Sequence, residues 1–241
     1  IETRRLLLGK AVIKQLGYPE DALQVVKYSR KAVWISHDCV GCDKCVFVCP
    51  YGAITAADFS SPVVDQEKCV GCGACQMVCP HNAIQVKGYD FYTVLRSYEE
   101  AAARMRERDH KPSILVFSCQ WSEFSALDDP DRMLRGRNAM MLEVPCFKGL
   151  DPVHVLNALQ SGFDGVMGVV CAPEDCKLQK GRDTAERQLE VLLTALERLG
   201  LSERFEMHEL SPRCAGDFAG RFEAFCERIA TLPLNEARKE D

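Results

Sequence analysis

Eight cysteines in two runs carry the most specific chemistry of this 241-residue chain. The first run reads Cys39-x-x-Cys42-x-x-Cys45-x-x-x-Cys49-Pro50, and the second repeats it thirty residues later as Cys69-x-x-Cys72-x-x-Cys75-x-x-x-Cys79-Pro80. Thiolates spaced by two residues on a tight loop reach three corners of one [4Fe–4S] cube. The fourth, set off by three residues and followed by a proline, reaches the other cube. The expected ligand sets are therefore interleaved: Cys39, Cys42, Cys45 and Cys79 for the first cluster, and Cys69, Cys72, Cys75 and Cys49 for the second. Structural zinc sites also use Cys-x-x-Cys. Zinc gives no reason for the Cys-Pro that closes each run, nor for the repeat of Val-Gly-Cys at 40–42 and 70–72.

The repeat continues beyond the ligands, in Tyr51-Gly52-Ala53-Ile54 and His81-Asn82-Ala83-Ile84, where a turn leads into a short apolar strand. Two copies related by a local twofold axis are expected to bury Val46, Val48, Ile54, Val78 and Ile84 between and around the clusters. From about Ser36 to Val86 the chain resembles bacterial two-cluster ferredoxins. Inside the loops the copies differ, with Asp43 and Lys44 where the second copy has Gly73 and Ala74. Local charge, exposure and hydrogen bonds to sulfur set cluster potentials, so the two sites need not be equivalent.

From Ser113 onward the pattern changes to alternating strands and helices. Ile114–Phe117, Met140–Val144, Val166–Val170 and Phe205–Leu210 read as strands. Leu189, Leu192, Leu193, Leu196 and Leu199 mark one helical apolar face, and Phe218, Phe222, Phe225, Ile229 and Leu232 mark another. Asp151-Pro152 supplies a cap and first-turn proline for a helix running to about Gln160. Such alternation implies a mainly parallel sheet flanked by helices. The expected fold is an α+β ferredoxin module followed by an α/β domain with a mainly parallel sheet.

That sheet gives meaning to four of the remaining cysteines. Cys119 follows the first strand of this part, Cys146 the second, and Cys171 and Cys176 the third. Parallel strands all end at one edge, so thiols dispersed in sequence converge on one crevice. Four thiolates are what a [2Fe–2S] cluster needs. Zinc ligation and inert buried cysteines are the competing readings. Cys226 reads as core or flank beside Phe222 and Phe225, and Cys214 as a possible spare ligand.

These features, with Cys119-Gln120-Trp121, Pro145-Cys146, Gly162-Phe163-Asp164-Gly165-Val166 and Cys171-Ala172-Pro173-Glu174-Asp175-Cys176, resemble the delta-subunit family of methyl-viologen-reducing hydrogenases over residues 113–232. The resemblance implies an iron–sulfur domain that passes electrons into heterodisulfide reductase. Two departures stand out. Ser122 and Gln120 occupy positions where the family often carries further cysteines, and the loop after Cys176 reads Lys-Leu-Gln-Lys-Gly-Arg. A ferredoxin joined to this domain also resembles the C-terminal part of heterodisulfide reductase A-like proteins, which carry a flavin. No Gly-x-Gly-x-x-Gly loop follows a strand here, so neither flavin nor NAD is expected in this chain.

The elements that must hold these sites divide the chain into a helical segment at 1–35, the ferredoxin at 36–92, a connecting helix at 93–112, the α/β domain at 113–232 and a polar tail at 233–241. The N-terminal segment reads as helices near 3–16 and 20–26, and the connecting helix as one capped by Ser97. Fourteen cysteines at ligand spacing, with no signal-peptide pattern, speak against a disulfide scaffold. A net charge of −5 speaks against a nucleic-acid partner, and no apolar run is long enough to span a bilayer. A cytoplasmic, anaerobic setting suits oxygen-labile clusters. Residues or a domain ahead of Ile1 are compatible with the missing initiator methionine.

The expected function is an electron relay with partners at both ends. The donor would be a hydrogenase, a formate dehydrogenase or a ferredoxin, and the acceptor a flavin-containing heterodisulfide reductase A-like protein. No catalytic residue is expected. The alternative is a ferredoxin fused to a zinc-binding or redox-active thiol domain with its own activity, using Cys171 and Cys176 as a dithiol or Cys119 as a nucleophile beside His154 or His208. Lys177, Lys180, Arg182 and Arg187 form a basic group that reads as a solvated helix start or as a dock for an acidic partner.

Overall fold

The computed structural model describes residues 32–34, 36–56, 61–106, 112–119, 137–176, 181–210, 217–233 and 235. The helices expected near 3–16 and 20–26, Cys214, and the side chains of Lys177, Lys180, Arg182 and Arg187 lie outside what is described.

The first half runs β1 (Ala32–Trp34), α1 (Lys44–Val48), β2 (Ile54–Thr55), β3 (Val63–Val64), α2 (Ala74–Val78) and β4 (Ile84–Val86). β1 pairs antiparallel with β4, and β2 with β3. The cysteine repeat is also a repeat of backbone conformation. Three left-handed positions recur at equivalent places: Gly41 and Gly71 (φ 67 for both), Asp43 and Gly73 (φ 54 and 83), and Gly52 and Asn82 (φ 57 and 51). Glycine, asparagine and aspartate are the residues that enter this region at least cost, which accounts for the residue types found there. Ile54 and Ile84 are buried with Ala32, Cys45 and Cys75, and Val46 and Val48 pack partly against them, as the repeat predicts. Val78 is only half-buried.

The second half comprises α3 (Phe91–Arg106), β5 (Ile114–Cys119), β6 (Ala139–Val144), α4 (Val153–Gln160), β7 (Gly165–Cys171), α5 (Gly181–Arg198), β8 (Phe205–Leu210) and α6 (Asp217–Thr231). The four strands form one parallel sheet in the order β6-β5-β7-β8. All six residues of β5 are buried, and they alternate between two cores. Leu115, Phe117 and Cys119 join Val166 and Val170 under α3, α4 and α5, while Ile114 and Val116 join Met167 and Val169 under Phe218, Phe222, Phe225 and Ile229 of α6. The sheet thus has helices on both faces, as expected.

Two expectations change. The helix read from Ser97 starts at Phe91, because Asp90 accepts the Thr93 amide at 2.9 Å and the Thr93 hydroxyl at 2.6 Å and so caps it earlier. Nor does α3 merely connect: Val94, Tyr98, Ala102 and Met105 form a buried stripe in the sheet's core. Of the leucines on α5, only Leu189, Leu192 and Leu196 reach that core, whereas Leu193 and Leu199 are 46% and 62% exposed. The sheet offers a single groove, which is narrower than the stripe the sequence suggests.

At the edge where β5 and β7 begin, Asp164 is a polar knot. Its carboxylate accepts the Ser113 amide at 2.8 Å and the Asn235 amide at 2.9 Å, and Arg204 donates to its carbonyl at 2.9 Å. In α4, His154 meets the Tyr98 hydroxyl at 3.0 Å through Nδ1 and stacks on Phe91. Burial pushes its imidazole down to about 4.

The halves touch where the turn before α2 meets a short turn of 3-10 helix, Phe147–Gly149, after β6. A Cβ on Gly149 would lie 2.7 Å from the Cys72 carbonyl and 2.8 Å from the Gly73 Cα. Because those atoms are backbone, Gly149→Ala is expected to cost about 1–3 kcal/mol in anaerobic denaturant unfolding. Gly220→Ala, on an open face of α6, is expected to be neutral or slightly stabilising. Equal effects of the two substitutions would contradict the close approach.

His154 gives a pH dependence with a definite sign. Its folded value lies below the 6.5 of the free imidazole, so the unfolded chain binds the extra proton first, and stability falls as pH drops from 6.5 towards 4. Between pH 7.5 and 5.5 the wild type is expected to lose about 1 kcal/mol more than His154→Gln, at 1.36 kcal/mol per unit below the free value. Parallel losses in the two proteins would remove His154 as the cause.

Candidate iron–sulfur centres

The interleaved ligand sets reappear as the linings of two separate cavities. Cys39, Cys42, Cys45 and Cys79 line one of about 340 Å³, and Cys49, Cys69, Cys72 and Cys75 line another of about 320 Å³, both volumes counting the solvent-facing mouth. In each, three thiols come from one run and the fourth from the other. The left-handed turns curl each Cys-x-x-Cys loop around its space, and the prolines carry Cys49 and Cys79 across to the opposite site.

Backbone amides point at the sulfurs. Gly41 donates to Cys39 Sγ at 3.2 Å, Ala53 to Cys49 Sγ at 3.3 Å, Ala83 to Cys79 Sγ at 3.2 Å and Ala32 to Cys69 Sγ at 3.4 Å. Such donors favour a thiolate and suit a ligand that must stay ionised. Burial, reinforced by Cys79 and Cys42, pushes the Cys45 thiol up. Burial, reinforced by Cys72, Cys69 and Cys49, pushes Cys75 up to about 12. The thiols that oppose each other's ionisation are thus the same interleaved fours. A cationic iron core reverses that penalty, and the residues present fit [4Fe–4S] clusters.

The four strand-end cysteines also meet. Cys119 closes β5 opposite Val144, Cys146 lies two residues past that level, and Cys171 closes β7. The Cys119 thiol shares hydrogen bonds with Cys146 and Cys171, and Cys171 with Cys176. Those thiol contacts, then burial, drive Cys146 and Cys171 well above the ordinary range. A redox-active dithiol needs the opposite shift. His154 is bonded to Tyr98 and gives Cys119 no base. The strand order, with β5 between β6 and β7, makes this edge the topological switch point where open α/β sheets bind their ligands. The donor set fits a [2Fe–2S] cluster. Among the described residues, no three His, Cys, Asp or Glu side chains gather around a point suited to one metal ion, as mononuclear zinc requires.

Two residues that carry no motif stand between the sites. Tyr51 and Val48 pack against a buried group of Cys72, Ala74 and Cys146, which joins the second cavity to the strand-end thiols. Lys148 is 3% exposed, and its Nζ lies 5.8 Å from the centre of the Tyr51 ring. Its amide donates to Cys146, and its ammonium also favours the Cys146 thiolate. Burial, then the thiols of Cys72, Cys146, Cys176 and Cys49, push the Tyr51 phenol up to about 12. A lysine two residues past a strand-end cysteine is the only sequence signal for this arrangement.

Comparison with known proteins bears on both halves. Residues 38–83, which hold all eight cysteines of the two runs, match the 4Fe-4S dicluster domain, and residues 114–233, from the start of β5, match the family described as methyl-viologen-reducing hydrogenase, delta subunit. The iron-sulfur subunit of the F420-non-reducing hydrogenase vhc of Methanococcus voltae is 30% identical over 101 residues, covering 41% of this chain and 70% of that protein. The chain belongs to the methyl-viologen-reducing hydrogenase delta-subunit family. This delta-subunit relative is similar over a longer stretch to one component of the Ferredoxin:CoB-CoM heterodisulfide reductase of Methanosarcina mazei, at 32% identity over 168 residues, 69% of this chain. The corresponding component of the Ferredoxin/F(420)H(2)-dependent CoB-CoM heterodisulfide reductase of Methanosarcina acetivorans matches at the same identity and length. The match spans about a fifth of those two proteins, 21% of each. The delta-subunit relative is an iron–sulfur electron-transfer protein with a 4Fe–4S dicluster domain ahead of its sheet.

Cys79→Ala is expected to remove about four irons per chain and the signal of the first centre, although Cys79 belongs to the second run. Cys119→Ala should remove about two. Iron analysis with electron paramagnetic resonance of the reduced protein reads both, and loss of the second centre in Cys79→Ala would refute the interleaving.

Proposed function

We propose that this chain relays single electrons through three centres. Two are [4Fe–4S] clusters, held by Cys39, Cys42, Cys45 and Cys79 and by Cys49, Cys69, Cys72 and Cys75, and the third is a [2Fe–2S] cluster held by Cys119, Cys146, Cys171 and Cys176. The observation that carries this reading is that Cys72 and Cys146 belong to one buried group, so the second and third sites adjoin inside the chain. Cys42, in the first site, is exposed, which suits a terminus that exchanges electrons with another protein.

When bound, such clusters supply reversible one-electron chemistry, and the chain's residues do the rest. The cysteines fix position. The amides at Gly41, Ala53, Ala83 and Ala32 stabilise charge on sulfur. Val48, Tyr51 and Ala74 keep water from the junction, where a lower dielectric strengthens every electrostatic contact. Nothing in this machinery calls for a nucleophile or general base.

The relatives' names support the choice of partners. The donor would be a hydrogenase, formate dehydrogenase or ferredoxin, and the acceptor a flavin-containing heterodisulfide reductase A-like protein. The setting would be the cytoplasm of an anaerobe. No helix among the described residues is long and apolar enough to cross a membrane.

Anaerobic iron and acid-labile sulfide analysis is expected to give about ten of each per chain, with a slowly relaxing signal beside two fast, coupled ones after dithionite reduction. About eight irons and no third signal would make the second domain a zinc or thiol module.

A further inference from the structure

The internal repeat places Tyr51 and His81 at equivalent positions, each two residues past the crossing cysteine of its run. Their surroundings differ. His81 is exposed at the lining of the first cavity, whereas Tyr51 lines the second and packs against the group that contains Cys146. The second domain has covered one copy of the position and left the other in solvent.

The Tyr51 hydroxyl is buried and has no hydrogen-bond partner among the described residues. A buried hydroxyl without a partner costs about 1–3 kcal/mol, so an orphan at a junction of thiols points to a missing acceptor. The thiols acting on it come from both sides, Cys72 and Cys49 from the second cavity and Cys146 and Cys176 from the strand ends. The ring is fixed from above by the buried Lys148, and the approach of Gly149 to Gly73 brings the two backbones close enough for one side chain to reach both sites. A neutral phenol donates, and sulfur bonded to iron accepts.

We propose that Tyr51 bridges the second [4Fe–4S] centre and the [2Fe–2S] centre, its hydroxyl donating a hydrogen bond to a sulfur at the seam between them. The proposal rests on the relay reading above and adds a positioning residue to it. During transfer one electron leaves one centre and arrives at the other. No bond forms or breaks, and Tyr51 keeps both its proton and its electrons. Its donated hydrogen bond stabilises the added negative charge of the reduced state, and so raises the potential of the centre that accepts it.

The test is Tyr51→Phe in the full-length, cluster-loaded chain, because phenylalanine keeps the ring and removes only the donor. In anaerobic redox titrations followed by paramagnetic resonance, one or both seam centres are expected to become harder to reduce. The expected change is up to about tenfold in the reduction equilibrium, or about 59 mV for one electron, with the first [4Fe–4S] centre unmoved. In deuterium oxide, an exchangeable deuteron coupled to the shifted centre should be present in the wild type and absent in the variant. About ten irons per wild-type chain with unchanged seam potentials in Tyr51→Phe would overturn the bridge and leave the relay standing. Equal shifts at all three centres would also overturn it, since they would report a general disturbance. About eight irons in the wild type would overturn the relay, and with it the bridge.

Discussion

Crowded thiols are the constraint around which this fold is organised. Cys45, Cys75, Cys146 and Cys171 are each driven upward by burial and by neighbouring sulfurs, so none of the groups can ionise comfortably without compensating positive charge. Left-handed turns, amide donors and converging strand ends are three ways of holding sulfur close to sulfur while leaving space between. The protein part of each site is thus destabilised by its own chemistry, and metal binding becomes part of the folding free energy.

The parallel sheet divides this burden between its edges. Where the strands begin, Asp164 gathers the amides of Ser113 and Asn235 and ties the C-terminal segment to the sheet with polar contacts that are satisfied within the protein. Where the strands end, the polar groups are sulfurs that face one another. One edge is closed by its own hydrogen bonds, and the other is open to a ligand. The ferredoxin-like half attaches to the open edge through Cys72, Gly73 and Tyr51. Its contact with the second half therefore lies beside the thiols, at the place where electronic contact is useful.

Much of this is legible in the sequence because it depends on local spacing. The interleaved ligand sets follow from the three-residue offset before Cys49-Pro50 and Cys79-Pro80, and each strand is bounded to within about two residues by its apolar run. The convergence of Cys119, Cys146 and Cys171 follows from parallel topology alone. What the sequence hides depends on contacts across long separations. Tyr51 reads as an ordinary turn residue until Lys148 is placed above it, and Gly149 reads as loop until its backbone meets Gly73. Propensity and surface charge identify α3 as a helix but conceal its buried stripe, and they point to Ser97 as the cap instead of Asp90. The leucines of α5 mislead the other way, since periodicity marks what a helix can bury and only the sheet decides how much it does bury.

The interleaving also bears on how the protein is made. Under the proposed ligand sets, the ribosome must add forty residues after Cys39 before Cys79 completes the first site, whereas the second, which opens at Cys49, is complete once Cys75 has been synthesised. During that interval the nascent chain displays reactive sulfur that no finished site protects. Assembly therefore has an inherent order, with the inner centre able to close first and the solvent-facing one last. A chain that stops before Cys75 leaves both sites short of ligands, so such a partial product cannot pass as a working one-cluster carrier.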